Sequence, residues 1–290
     1  MIARLLLVAL AALTASLGSC RREASVAPVE KLELAGNAAY DAGEFEQAES
    51  AYRKALEVGA QRPRLQNNLG NALARQGRSG AAQAAYRAAI ALDPEYLFAM
   101  NNLVLALYHG GERDSARQFL AKAQMNWPRV SFFYSTDGYL RYLEGDRPAA
   151  LAAFQEAIRI NPDSPAALNN IGALLLENSV ADTDPLPYLM RAIQKSPENV
   201  LLRDTLGWYY FKKGMFAEAT IEIGKAFLYD PKNLEVRVHF ATVLEWIGKE
   251  REALEQWTKV LEQADDERVK RLAHEHYWDL KGRGVTASAN

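Results

Sequence analysis

Along most of this chain the same kinds of residue return every 34 positions. Gly36, Gly70, Gly138, Gly172 and Gly207 share one register, with Val104 and Ala241 in its two other slots and one inserted residue after Gly172. A period of this length describes an array of small supersecondary units, each too small to bury its apolar face without its neighbours. A second register, seven residues on, holds Gly43, Gly77, Gly111, Gly145, Gly214 and Gly248. Alanines follow at 48, 82, 116, 150, 219 and 253, then a bulky residue at Tyr52, Tyr86, Leu120, Phe154, Leu189, Ile223 and Trp257. Small residues at Ala55, Ala89, Ala123, Ala157, Ala192 and Ala226 come next, and Pro94, Pro128, Pro162, Pro197 and Pro231 close the units.

Each unit therefore reads as a helix, a tight turn, a second helix and a stop. The early Gly or Ala lets the two helices approach closely, and the later Gly takes the left-handed conformation that ends the first helix. The bulky residue is expected to act as a knob into the neighbouring layer. Proline lacks an amide donor and forbids a further helical turn, and Asp93-Pro94, Asn161-Pro162 and Asp230-Pro231 sharpen that stop. These residues resemble the tetratricopeptide repeat over about 240 of the 290 positions. The resemblance implies an all-α, right-handed superhelical solenoid of seven repeats: 29–62, 63–96, 97–130, 131–164, 165–199, 200–233 and 234–267. The first repeat lacks the closing proline. The fifth lacks the turn glycine and runs through a longer turn, 177–185, with Asp184 as expected N-cap and Pro185 at the first helical position. Residues 268–280 read as a capping helix, with Val269, Leu272, Ala273, His276 and Leu280 along its apolar stripe, followed by a disordered tail, 281–290.

The N-terminus carries an address. Arg4 precedes an apolar run from Leu5 to Leu13 that gives out before Cys20 and meets Arg21-Arg22, too short for a permanent span. Leu17-Gly18-Ser19-Cys20 resembles the lipobox of bacterial lipoproteins, and Cys20 is the sole cysteine. That resemblance implies cleavage of residues 1–19, acylation of Cys20, a tether over 20–28 and, because Arg21 follows the cysteine, an outer-membrane location facing the periplasm. Several acyl chains anchor a protein stably where one is marginal.

In the repeat family the concave wall is lined by repeat positions 2, 5, 6, 9, 12 and 13 and binds extended peptides. Here those positions hold Asn-Asn pairs at Asn67 and Asn68, Asn101 and Asn102, and Asn169 and Asn170. Amides both donate and accept, which suits a peptide backbone, and the row is similar to the asparagine ladder of the nucleocytoplasmic O-linked glycosyltransferases. Thr136, Thr205 and His239 interrupt it, and the other reading of the pairs is contact between neighbouring helices. Phe98, Tyr108, Phe132, Tyr139, Tyr142, Trp208, Phe211 and Trp246 add an aromatic wall of partner anchors or inter-repeat core. At least one of Trp208, Tyr209, Tyr210 and Phe211 is expected to be exposed. The family's clamp for a C-terminal carboxylate matches at Asn37 and Asn68, but its basic positions hold Glu33, Phe98 and Asn102.

Composition narrows the rest. A net charge of -2 gives no field for nucleic acid, and four histidines with one cysteine leave little for a metal cage or a His-dependent triad. No nucleophile elbow, phosphate loop or zinc helix is present, so no cofactor, metal or catalytic activity is expected. The sequence points to an envelope scaffold or adaptor for proteins or extended peptides, in pilus, secretion, outer-membrane or polysaccharide-export assembly. The alternatives are a glycan- or peptidoglycan-binding groove on the aromatic wall, and self-association through that wall or the terminal helix.

Overall fold

The computed structural model describes residues 28–58, 61–177 and 183–286. The leader, Cys20, most of the tether, residues 178–182 of the fifth repeat's turn and the last four residues lie outside them. Among the described residues there are fifteen helices and no strand. They fall into two compact bodies, one ending at Pro128 and one beginning at Arg129. The N-terminal body holds α1 (28–41), α2 (Phe45–Glu57), α3 (Pro63–Arg75), α4 (Ser79–Leu92), α5 (Leu97–His109) and α6 (Arg113–Asn126). The C-terminal body holds α7 (Ser131–Leu143), α8 (Arg147–Ile160), α9 (Pro165–Leu176), α10 (Leu186–Lys195), α11 (Val200–Lys212), α12 (Phe216–Tyr229), α13 (Leu234–Trp246), α14 (Glu250–Gln263) and α15 (Glu267–Gly282). None of the described helices is long and apolar enough to cross a membrane.

Short polar residues start several helices. Asp146, Ser164, Asn199 and Asn233 each accept a bond from the backbone N–H three residues on, satisfying a donor that the first turn leaves free. The turn at Gly77 shows how the first helix of a repeat ends: φ is +72°, Gly77 N–H donates to Ala74 O, and Arg78 N–H donates to Leu73 O at 3.0 Å. The same pair of bonds recurs at each turn glycine of the second register. At the second-helix stops, Asp93, Asn161 and Asp230 accept from the N–H groups of Glu95, Asp163 and Lys232, closing Asx turns around the prolines. In the fifth repeat Asp184 accepts from Leu186 N–H, and Pro185 has helical dihedrals (φ −71°, ψ −19°).

Packing explains the small-residue registers. The alanines at 48, 82, 116, 150, 219 and 253 are all fully buried, as are those at 55, 89, 157, 192 and 226. The bulky register acts as the expected knob into the next layer: Phe154 clusters with Ile171, Leu174 and Leu175 of α9, Leu189 with Leu206 and Tyr209 of α11, and Ile223 with Val243 of α13. Where the early register holds glycine, the large side chain also seats on it within the same helix pair: a Cβ on Gly70 would lie 2.5 Å from the Tyr86 ring, and Gly36 with Tyr52 and Gly138 with Phe154 repeat that approach. The missing side chain is the socket, and it lies sixteen residues before its ring.

The C-terminal end departs from expectation in two ways. Asp266 caps α15 through Arg268 N–H and Val269 N–H, but the helix runs on through Gly282, and Gly284 (φ +83°) closes it with a further turn of the same kind. Val285 then packs on the cluster around Leu254, Trp257 and Leu280, so residues 281–286 are ordered structure and not a tail. Leu272 faces outward; the buried stripe runs through Ala273 and Leu280, two turns apart on one face.

Candidate functional site

The first helices of successive repeats touch within each body, α3 with α5, and α7, α9, α11 and α13 in series. Their side chains meet at two fixed sequence separations. In the N-terminal body Asn68 Nδ2 donates to Asn37 Oδ1, 31 residues earlier, at 3.3 Å. Asn102 Nδ2 repeats that bond to Asn71 Oδ1 at 3.0 Å and gives its other hydrogen to Asn67 Oδ1, 35 residues earlier, at 2.9 Å. The second helices complete the pattern: Tyr52 O–H donates to Asn37 Oδ1 and Tyr86 O–H to Asn71 Oδ1, both at 2.8 Å.

The amide row is thus partly spent on joining repeats. Asn67 is only 6% exposed, and Asn102 has no N–H left for a ligand. Asn68 and Asn101 are half-buried. In the C-terminal body Asn169 and Asn170 are half-buried as well, and Asn169 Oδ1 has no partner, nor has Ser135 Oγ on α7. Glu33, at one of the positions where the clamp would need a cation, is buried beneath Arg64 (2.6 Å) and Arg62 (3.8 Å).

The two phenols that pin the ladder resist ionisation. Burial, then the charge of Asp41 and its neighbours, pushes the Tyr52 hydroxyl up to about 12, and burial raises Tyr86 as well. A folded-state value above the unfolded one favours the protonated fold, so stability is whole below pH 10 and lost as pH rises toward 12. Alkaline titration followed by tyrosinate absorbance should show Tyr52 and Tyr86 ionising last, together with unfolding of the N-terminal body. Tyr52→Phe should remove the phenolate signal of that site.

In the C-terminal body the same separations carry different chemistry. His239 lies 31 residues after Trp208 and stacks on it, with ring centroids 4.1 Å apart and planes 15° apart. It also lies 35 residues after Asp204, and its Nδ1 sits 2.8 and 2.9 Å from the two carboxylate oxygens, which fixes the Nδ1–H tautomer. Phe211 also stacks on Trp208 at 4.9 Å, Trp246 meets Phe211 edge-on at 5.7 Å, and Phe216 stacks on Trp246 at 5.5 Å. Five rings from α11, α12 and α13 form one aromatic surface, and Trp246 at its edge is 65% exposed. None of Trp208, Tyr209, Tyr210 and Phe211 is exposed, against expectation: Trp208, Tyr210 and Phe211 pack on the core around Ile223 and Val243, and Tyr209 is buried with Leu176, Leu189 and Leu206.

The other aromatic candidates scatter. Phe98 is 62% exposed and Tyr139 is exposed, while Phe132 is half-buried. Tyr108 is 7% exposed beneath the Arg113 guanidinium and offers no groove surface. Tyr142 is half-buried and donates to Glu177 at 2.5 Å; that bond, then burial, raises its pKa. Sequence reasoning passed over Asn71, Asp204 and Phe216; for the first two, the 31-residue distance from Asn102 and the 35-residue distance from His239 were the usable signal. Among the described residues no group of three or more His, Cys, Asp or Glu is placed to hold a metal.

Comparison with known proteins agrees with this geometry. A tetratricopeptide-repeat family profile matches residues 34–96 and 67–130, and a second repeat profile matches 138–179. The TPR repeat-containing protein MJ1428 of Methanocaldococcus jannaschii is 24% identical over an alignment that covers 45% of this chain and 30% of that protein. The chain thus spans less than a third of that relative. Among solved structures, the hetero-tetramer Cut9-Hcn1 of the APC/C superposes with a TM-score of 0.63 at 16% identity, covering 86% of this chain and 46% of that one. A tetratricopeptide repeat protein from Parabacteroides merdae superposes with a TM-score of 0.55 at 17% identity, covering 87% and 99%.

Proposed function

Because the chain is built of tetratricopeptide repeats, we propose that it is a protein-binding scaffold of the bacterial cell envelope, held at the outer membrane by acyl chains on Cys20 and facing the periplasm. The repeat fold supports the binding of proteins or peptides; the lipobox-like Leu17-Gly18-Ser19-Cys20 and the Arg21 that follows support the anchor. The single observation that carries the reading is the five-ring surface on α11, α12 and α13. Its Trp246 indole has one face on Phe216 and most of its area open to solvent. A rigid, pre-packed aromatic with an open face gains contact area on binding at little entropic cost, the character of an interface hot spot. The mechanism is binding alone, and the assembled machinery would be of the pilus, secretion, outer-membrane or polysaccharide-export type.

Capture of the lipidated chain from gently solubilised envelopes tests this. Trp246→Ala, which removes an exposed side chain and should leave the fold intact, is expected to weaken the retained protein partner by about 30-fold, the equivalent of ~2 kcal/mol. Cys20→Ser, run alongside, should release the chain from the membrane fraction. Unchanged retention by Trp246→Ala would place the interface elsewhere. The open indole face also suits a sugar ring, so muropeptide titration of the tryptophan fluorescence distinguishes a glycan-binding surface from a peptide-binding one.

A further inference from the structure

α15 stands in the array as the first helix of a further pair. Its buried Ala273 and Leu280 correspond to Val236 and Val243 of α13, 37 residues earlier. The same shift relates His276, stacked on Trp257 with Nδ1 on Glu245, to His239, stacked on Trp208 with Nδ1 on Asp204. It also places Trp278 where α13 has Ala241, in the register of Gly36, Gly138 and Gly207. In that register a small residue admits the second helix of the pair: Ala241 is fully buried, and a Cβ on Gly207 would lie 2.5 Å from Ile223 of α12. On α15 the largest side chain fills the place, and among the described residues no second helix lies over it, so Trp278 is 64% exposed. Knob and socket have changed sides.

Helical spacing puts Arg271, His274, Trp278 and Lys281 on one stripe, at i, i+3, i+7 and i+10. Arg271 and His274 are exposed, and the Trp278 ring is braced edge-on by Tyr277 at 5.3 Å. Lys281 Nζ lies 5.9 Å from the Tyr277 ring. Neither Arg271 nor Lys281 is paired with a carboxylate among the described residues. Of the acids on the adjoining flank, Glu275 is exposed and Asp279 is held by Arg283. Two cations ten residues apart, on either side of an open indole, complement a helix that carries carboxylates at the same interval and a small residue between them.

We propose that this face docks an amphipathic α-helix of a partner protein, seated where a second helix sits elsewhere in the array, with its carboxylates on Arg271 and Lys281 and a Gly or Ala under Trp278. The face continues the interface by which the other first helices hold their second helices, and that continuity selects a helix over an extended peptide. Helices joined by a tight turn run antiparallel, so the partner's stripe reads Glu, Ala three residues on and Glu seven further. The site is separate from the aromatic surface of α11, α12 and α13 and does not depend on it.

The test titrates the full chain with a peptide of about 15 residues carrying that stripe, held helical by a hydrocarbon crosslink on its far side because so short a helix is marginal in water. The indole N–H NMR signals of Trp278 and Trp246 are followed. The Trp278 signal should move and the Trp246 signal should stay. A peptide with Lys in place of both Glu should bind about 10-fold more weakly at low salt, with the gap closing as salt is raised. Leu in place of the Ala should also weaken binding, because it leaves the indole no socket. Trp278→Ala removes an exposed side chain from a helix held by Ala273 and Leu280, and should cost about 10-fold in affinity with the circular dichroism unchanged. Arg271→Glu should weaken the Glu peptide and favour one with Lys at the facing position. Equal binding of the Glu and Lys peptides, or a Trp278 signal that stays fixed at saturating peptide, overturns the proposal. Movement of the Trp246 signal alone also overturns it, by placing the peptide on the other surface. So does a Trp278 signal that shifts with protein concentration before any peptide is added, which would assign the face to a second copy of the chain.

Discussion

Trp257→Ala is expected to destabilise the C-terminal body by about 3–5 kcal/mol, the cost of removing a fully buried large aromatic and leaving its cavity. Trp257 has no exposed surface and sits among Leu244, Leu254, Val260, Ala273 and Leu280, where α13 and α14 meet the terminal helix. Its ring also organises polar groups: Nε1–H donates to Glu245 Oε2 at 3.1 Å, and the indole plane stacks on His276 at 4.6 Å, whose Nδ1 meets the same Glu245 oxygen at 2.9 Å. Removing the indole leaves a largely buried carboxylate short of a donor and an imidazole without its platform. Urea unfolding followed by far-UV circular dichroism measures the loss, and hydrogen exchange should place the first opening in α15. Trp257→Phe keeps a ring against His276 but loses the donor, so its cost should be smaller, about 1–3 kcal/mol. A Trp257→Ala cost below that of Trp257→Phe would mean that α15 is not held through this side chain.

Gly138→Ala should reverse the usual sign of a helix substitution. In an open helix interior, Ala gains up to roughly 1 kcal/mol over Gly. On α7 the new methyl would lie 2.5 Å from two atoms of the Phe154 ring, which is itself 3% exposed and has nowhere to move. Overpacking of this kind costs about 1–3 kcal/mol. Gly224 on α12 is the control, because a Cβ there meets nothing within 4 Å, so Gly224→Ala should be neutral or stabilising. Adding Phe154→Leu to Gly138→Ala should restore part of the loss, giving a coupling of about 0.5–3 kcal/mol in a double-mutant cycle. Independent, additive effects would show that the glycine register does not exist to seat the large residue of the same helix pair.

These two sites also mark what was legible in the sequence. The helix pairs were, because Gly at the turn and Pro at the stop act through local backbone geometry that each residue imposes on its own. The packing of Phe154 and its equivalents on the following repeat was legible too, but not the seat each takes within its own pair, since a bulky residue at a regular interval announces burial without naming every helix it meets. Only the sixteen-residue interval to Gly36 or Gly138 identifies the socket. The end of α15 was misread for a related reason: Gly284 follows Lys281-Gly282-Arg283, and a stop signal was taken for the composition of a tail.

The site was legible in its positions and not in its chemistry. Asn68 and Asn102 were identified as wall residues, yet whether an amide is free depends on Tyr52 and Tyr86, which arrive from the second helices and capture the oxygens of Asn37 and Asn71. His239 looked like an interruption of the asparagine row. It occupies the same place in the lattice, with Asp204 and Trp208 in the roles that Asn67 and Asn71 play for Asn102. One scaffold thus supports a polar ladder in the N-terminal body and an aromatic stack in the C-terminal body.

The central claim is that the aromatic surface around Trp246 receives a protein. Its most direct test is to place a photo-crosslinking phenylalanine derivative at position 246 of the full lipidated chain in the intact envelope, irradiate, and identify what becomes attached. The account predicts a discrete protein adduct, with crosslinked residues in an extended segment of the partner, and its loss when Phe211 is also changed to Ala. Adducts confined to glycan, or no adduct while the chain is folded and anchored, would contradict it.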